Sequence, residues 1–541
     1  MRKDFRLLGL IAVFVTLWIS AAFAEEVCRV PIRTTEGPVI GMEVEGLEVC
    51  AYKGIPYAAP PVGKRRWRSP ERAPQRSEVF EATDFGPECS QVGMGVPFFA
   101  KGGYKPEQSE DCLHINIWRT KKSKLLPVMV WIHGGGLTAG SGSEPMYNGD
   151  KLAAQKGVLV VSFNYRLAAF GFLAHRDLSK ENPRGSSGNY GLLDQIAALA
   201  WIRENIIAFG GDPNNVTIFG ESAGGWSVCN LLASPLARGL FNQAIIQSGG
   251  CDTTLTMEKG FADGDEFAEQ LGCSAEEVLS CMRSKPADKI VKIVGNRWED
   301  MDNIGLKHLD NVWAPHEDGW VLNETPIKAL KSGRYNKVPL MVGTNRFEGK
   351  LFALNTSYFY RMTRKSKVKK ALRKSLGETL LPLFEKLYPY RKYSRSIEAL
   401  IDAKGDLVLG CKCFDAAEAS ADHRPTYYYR FDYDDHRLSN LLDAAHGLEI
   451  PFIFDGLDRP YVKSLYSGGQ RKRARPLVNA MMSYWTNFAV NADPNGPNLL
   501  KWPVYDRAER KRMILDLPQR VEQTDIVEKC EFWKTHGPNI K

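Results

Sequence analysis

The feature that most restricts how this chain can fold is the pentapeptide Gly220-Glu221-Ser222-Ala223-Gly224. It follows Asn215-Val216-Thr217-Ile218-Phe219, an apolar, β-branched run suited to a buried strand, and it opens residues 223–232, which read as a helix. A serine on so tight a strand-to-helix turn sits in strained backbone geometry, and bulky flanking side chains would not fit. Gly220 and Gly224 meet that need, and Ser222 then stands at the positive end of the helix. The bland alternative is a strand-to-helix loop carrying an incidental serine.

Upstream, Pro127-Val128-Met129-Val130-Trp131-Ile132 reads as an interior strand that runs straight into His133-Gly134-Gly135-Gly136. Consecutive glycines leave backbone N–H groups bare, and such groups can point at the oxygen of a tetrahedral intermediate. Gly135, Gly136 and Ala223 are therefore the candidate oxyanion hole. A flexible glycine-rich turn explains the glycines but not their coincidence with a nucleophile elbow. Of nine histidines, His446 is singled out by Asp443-Ala444-Ala445-His446-Gly447-Leu448-Glu449-Ile450-Pro451, a late loop of small residues suited to a general base. Leu340-Met341-Val342-Gly343 reads as a strand end, and Thr344-Asn345-Arg346-Phe347-Glu348-Gly349 as the loop that presents Glu348 to that imidazole; the alternative is a surface glutamate. Nucleophile before acid before base is the α/β-hydrolase order. The chain is thus expected to be an α/β protein of that fold, a large central, mostly parallel sheet flanked by helices, with long loop insertions forming an active-site gorge.

These residues resemble the type-B carboxylesterase and cholinesterase-like family, and the likeness extends over nearly the whole chain. Gly54-Ile55-Pro56-Tyr57-Ala58 with Pro60-Pro61-Val62-Gly63, Ser109-Glu110-Asp111-Cys112-Leu113 with Asn116-Ile117-Trp118, Phe209-Gly210-Gly211-Asp212-Pro213, Trp485-Thr486-Asn487-Phe488-Ala489, Asp493-Pro494-Asn495 and Trp502-Pro503 all carry it. The resemblance implies Ser222 as nucleophile, Glu348 as acid, His446 as base, Gly135, Gly136 and Ala223 as oxyanion hole, and Glu221 and Ser248 in support. It also implies a structural ion pair between Arg66 and Glu110. One departure is Phe347, where the family often has an acidic residue. Cholinesterases place a tryptophan between the cysteines matching Cys89 and Cys112, and none occurs here. Leu351 stands where a choline-site aromatic would follow the acid, and Asn311 near an acyl-pocket phenylalanine, so the resemblance argues against choline esters.

Arg2, Lys3 and Arg6, an apolar run over residues 7–19, and Ala22-Phe23-Ala24 make a secretory signal over residues 1–24, cut after Ala24. The apolar run is shorter than the roughly 20 residues a membrane span needs. Residues 25–541 are expected to form one large domain, since no Pro-, Gly- or Ser-rich linker, repeat or low-complexity tract divides them. Export, to the medium or the periplasm, permits disulfides. Eleven cysteines, an odd number, leave at least one free. The family resemblance implies Cys89 with Cys112, Cys273 with Cys281, and Cys411 with Cys530 in preference to Cys413; Cys28 with Cys50 is a weaker pairing, and Cys229 and Cys251 stay unassigned. Cys411-Lys412-Cys413 suggests a metal, but no further cluster completes a four-ligand site, and the chemistry needs no metal or cofactor.

The net charge of +8 falls to +6 once three basic residues and one acidic residue of the leader are removed. Much of the excess lies in residues 361–374, where Arg361, Arg364, Lys365, Lys367, Lys369, Lys370, Arg373 and Lys374 occur without an acid, and in Arg471-Lys472-Arg473. A solvated helix face is the simplest account, with steering of anionic substrates as the alternative. No motif supports nucleic-acid binding. Asn215, Asn323 and Asn355 head N-glycan acceptor sequences, the first discounted because it falls in an expected strand. The expected partner is a small-molecule ester; amide or carbamate hydrolysis and a noncatalytic binding role are the alternatives, and the oligomeric state is open.

Overall fold

The computed structural model describes residues 27–93, 106–122, 125–273, 277–299, 313–354, 364–460 and 462–537. The expected leader at 1–24 with its cut after Ala24, together with Asn311, Asn355 and Arg361, lies outside the described residues.

Among the described residues an 11-stranded sheet organises the chain. Its strands are β1 (Met42–Glu43), β2 (Val49–Pro56), β3 (His114–Thr120), β4 (Leu126–Ile132), β5 (Leu159–Phe163), β6 (Gly211–Glu221), β7 (Gln243–Gln247), β8 (Leu340–Asn345), β9 (Thr426–Phe431), β10 (Lys511–Leu515) and β11 (Arg520–Gln523). They lie in the order β11-β10-β9-β8-β7-β6-β4-β5-β3-β2-β1. All pairings from β5 across to β10 are parallel, and antiparallel pairs close both flanks.

The central strands are apolar on both faces because both faces are covered. Along β4, Val128, Val130 and Ile132 enter one core with Val161, Ile218 and Ile246. Met129 and Trp131 alternate onto the other, where Val160, Phe219, Ile245 and Met341 wait. Register carries this alternation from strand to strand: Val130 pairs with Val161 on one side and Ile218 on the other. The first core holds α1 (Tyr190–Asn205) and α2 (Ala223–Ala233), and the second holds α7 (Gly468–Asn491). Helix α2 buries nearly its whole circumference, so it is apolar all round.

Five disulfides join Cys28 to Cys50, Cys89 to Cys112, Cys229 to Cys251, Cys273 to Cys281 and Cys411 to Cys530. Cys413 is the free thiol and is buried. The Cys229–Cys251 bridge, which motif spacing left unassigned, ties α2 to the segment after β7. Cys411 opens α6 (Cys411–Ala421) and Cys530 lies on α8 (Val527–His536), so the sulfur of Cys411 is engaged in a bridge rather than offered to a metal. Arg66 donates from Nε to Glu110 Oε2 at 2.7 Å and from Nη1 to the carbonyls of Arg283 and Lys285. Residues 365–374 form the first turns of α4 (Lys365–Leu387), with Lys365, Lys367, Lys370, Arg373 and Lys374 exposed. Asn215 is half-buried within β6 and donates to the Val490 carbonyl at 3.2 Å, whereas Asn323 is exposed.

The Cys411–Cys530 bridge closes a sequence separation of 119 residues. Replacing both cysteines by alanine is expected to lower unfolding free energy by about 3 to 5 kcal/mol. Urea unfolding checks this, and an unchanged midpoint would refute it.

Candidate active site

Strand β6 ends at Glu221 and α2 begins at Ala223, so Ser222 alone makes the turn, at φ 57° and ψ −122°. Its N–H donates to the Gln247 carbonyl at 2.9 Å, and its own carbonyl accepts from Trp226 at 3.0 Å. A β-carbon at Gly220 would lie 2.6 Å from the Gly224 carbonyl carbon, and one at Gly224 would overlap the Ile132 oxygen. Strand end, turn and helix start thus approach so closely that only hydrogen fits at either flank of the serine.

The glycine-rich loop after β4 presses on this turn. A β-carbon at Gly134 would lie 2.8 Å from the Glu221 carbonyl oxygen and 3.2 Å from Ser222 Cβ. Gly135 and Gly136 follow at φ 104° and 63° and are half-buried, as Ser222 is. Among the described residues the amides of Gly135, Gly136 and Ala223 donate to no protein acceptor. They are donors without partners beside a partly accessible hydroxyl.

Glu348 lies just beyond β8, and His446 in the loop that follows β9. Both are about 4% exposed. Glu348 Oε2 accepts from His446 Nδ1 at 2.6 Å, while Oε1 accepts from Ser248 Oγ and from the Asn345 N–H, each at 2.7 Å. A carboxylate so placed fixes the proton on Nδ1 and leaves Nε2 as the basic nitrogen. Nε2 faces Glu221 Oε1 at 3.1 Å, without the alignment of a hydrogen bond. The two loops are laced by backbone as well: Phe347 N–H donates to the Ala444 carbonyl at 3.0 Å, and Phe347 bridges Ala445.

Burial opposes the imidazolium of His446, but Glu221 and Glu348 outweigh it and hold the pKa up at about 9. Burial likewise disfavours the Glu221 carboxylate; His446 tempers this, Glu449 and Glu348 add to it, and the pKa is pushed up to about 8. Glu221 and His446 therefore titrate as a coupled pair.

Sequence motifs brought Ser222, Glu348, His446, Glu221, Ser248 and the glycines forward, and the fold gathers all of them at the carboxyl ends of β4, β6, β7 and β8 and the loop after β9. They missed Glu449. It is fully buried, accepts from Asn345 Nδ2 at 2.6 Å and Gln247 Nε2 at 3.1 Å, and its pKa is raised by burial and then by Glu348. The available signal was an acid in the otherwise apolar Leu448-Glu449-Ile450, three residues after the histidine. They also missed Phe352, on α3 (Gly349–Leu354), whose ring centroid lies 4.9 Å from that of His446 while the residue remains 44% exposed.

A strained serine at a helix start, unpaired amides beside it and a carboxylate-bound imidazole are the kinds of group that acyl transfer uses. Comparison with known proteins agrees. The model of the carboxylesterase family matches residues 29–533. The chain is 38% identical over 505 residues to the para-nitrobenzyl esterase of Bacillus subtilis (strain 168), covering 92% of this chain and 97% of that protein. It is 35% identical over 537 residues to a liver carboxylesterase of Sus scrofa, covering 92% and 91%. A solved PNB esterase structure superposes with a TM-score of 0.78 at 37% identity, over 93% of this chain and 99% of that one. The fold is that of the α/β-hydrolases, and the chain belongs to the carboxylesterase family of carboxylic ester hydrolases.

Proposed function

We propose that this protein is an exported serine carboxylesterase that cleaves small-molecule esters to acid and alcohol through an acyl-enzyme on Ser222. The observation that carries the reading is the 2.6 Å contact between Glu348 and His446 Nδ1, with Ser222 set on its strained turn nearby. His446 Nε2 takes the Ser222 proton as Oγ attacks the ester carbonyl, while Glu348 orients the ring and stabilises its charge. Gly135, Gly136 and Ala223 donate to the oxyanion, each donor worth roughly 100- to 1,000-fold in turnover. His446 then protonates the leaving alcohol, and a water activated by the same nitrogen releases the acid. Ser248 holds Glu348, and Glu221 sets the charge around the imidazole.

Export rests on the leader read at residues 1–24, with Ala24 as the last residue removed, and is supported by the five disulfides. Among the described residues no helix is long and apolar enough to cross a membrane. The remaining residues, 25–541, are read as one catalytic domain.

With a p-nitrophenyl ester series of increasing acyl length, Ser222→Ala is expected to lose on the order of a million-fold in kcat. Near-parental turnover by the variant would remove Ser222 as the nucleophile, whereas no turnover and no labelling of Ser222 by a fluorophosphonate in the parent would sink the proposal in favour of a binding role. A second expectation concerns pH. The base works only when neutral, so the rate rises as His446 loses its proton, and the Glu221 anion delays that loss. Glu221→Gln removes the charge and should move the acid limb of kcat/KM to lower pH; an unmoved or upward-shifted limb would contradict this coupling.

A further inference from the structure

Lys350 is 3% exposed, two residues beyond Glu348, on a protein with ample surface for a lysine. A buried ammonium is costly unless paired. Its ammonium is ion-paired with Asp443, lies 3.4 Å from Glu398 Oε1 on α5 (Ser396–Gly405), and sits 4.9 Å from the centroid of the Phe347 ring. Asp443 precedes His446 by three residues, and its backbone is held at φ 49° and ψ −145°, a conformation that persists only where surroundings over-determine it. The surroundings here are named: its carbonyl accepts from His436 Nε2 at 2.8 Å, its Oδ1 lies 3.6 Å from Arg346 Nη2, and its Oδ2 meets Lys350. Arg346 also reaches the His446 loop, at Asp434 (2.5 Å) as well as Asp443, and Glu398 also faces Arg395 at 3.4 Å; of the two cations that join the loops, Lys350 is the buried one.

We propose that Lys350 is a positioning residue: its ion pair with Asp443 clasps the loop that carries Glu348 to the loop that carries His446, and so sets the reach of the carboxylate to Nδ1. This rests on the reading of Glu348 and His446 as acid and base. The clasp runs parallel to the backbone contacts of Phe347 with Ala444 and Ala445 and to the Asn345 side chain on the Ala445 carbonyl, and it adds a charged contact beyond Glu348, at the start of α3. Displacement of a catalytic group by about 1 Å can cost on the order of 100-fold in rate, so a charge pair remote from substrate can act on turnover.

The test uses the full-length exported enzyme, with active sites counted by fluorophosphonate titration, so that misfolded protein does not enter kcat. Lys350→Met and Asp443→Asn are each expected to lower kcat per titrated site by roughly 10- to 100-fold with KM changed by less than about 3-fold. Lys350→Arg should recover most of the loss. The far-downfield proton resonance of the His446–Glu348 hydrogen bond should shift or broaden in Lys350→Met and return in Lys350→Arg. The double variant should be no worse than the poorer single, since both remove one interaction. A lowered melting temperature with parental kcat per site and an unmoved proton resonance would overturn the clasp, as would strictly multiplicative losses in the double variant. His446→Ala separates the two readings. If it is inactive while Lys350→Met turns over like the parent, the clasp alone falls; if it is fully active, the base assignment falls and the clasp with it.

Discussion

The backbone of Ser222, held at φ 57° and ψ −122°, is the constraint around which the rest of the molecule is arranged. Such a conformation costs about 1 to 3 kcal/mol in a residue with a side chain, and it survives only inside a frame that leaves no alternative. The frame is the pair β6 and β7, buried on both faces and hydrogen-bonded to parallel neighbours, together with α2 packed against their ends. Closeness is the means. Gly225 and Gly249 come near enough that a β-carbon on Gly249 would lie 2.6 Å from Gly225, so helix and strand end meet backbone to backbone. A strained serine at a sheet end is therefore paid for by apolar burial spread through two cores, far from the chemistry.

Electrostatics near the imidazole follow from unequal hydrogen bonding among three buried carboxylates. Glu348 receives Ser248 Oγ, the Asn345 N–H and His446 Nδ1. Glu449 receives Asn345 and Gln247 side chains. Glu221 Oε1 faces the imidazole edge at 3.1 Å without an aligned donor. Like charges at close range cannot all be carried cheaply: burial drives the Glu221 and Glu449 pKa values up, and neighbouring carboxylates add to both. Asn345 reaches the Glu348 carboxylate with its backbone and Glu449 with its side chain, so one residue holds two of the carboxylates that crowd the imidazole.

The strands were readable because they are covered on both sides. Val128 to Ile132, Val216 to Phe219 and Leu340 to Gly343 are nearly continuous apolar runs, which is what interior parallel strands require. Their ends were less readable, since β6 extends back to Gly211 through a bulge and β8 runs on to Asn345, where polar residues serve the site rather than the core. Motif order located Ser222, Glu348 and His446 because a strained turn and a carboxylate-bound imidazole each demand particular residue types. Glu449, Phe352 and Lys350 carried no such demand. Each is an ordinary residue whose role depends on what another loop brings to it. Cys229 and Cys251 were equally silent, as bridging depends on the packing of α2 against the segment after β7.

The molecule thus divides its stability and its geometry between different forces. The sheet and its two cores rest on apolar contacts, which are non-directional and absorb small changes of shape at modest cost. The loops at the strand ends are fixed by directional contacts: Asn345 to the Ala445 carbonyl, Phe347 to Ala444, Ser248 to Glu348, and Lys350 to Asp443. Directional contacts hold an angle as well as a distance, and reacting groups need both. Intact, they contribute little net free energy, because polar groups that pair in the fold were already solvated by water in the open chain, but a buried group stripped of its partner is costly. It follows that variation in the cores is registered mainly as altered melting, whereas variation among these few polar loop residues is registered in turnover as well as in melting.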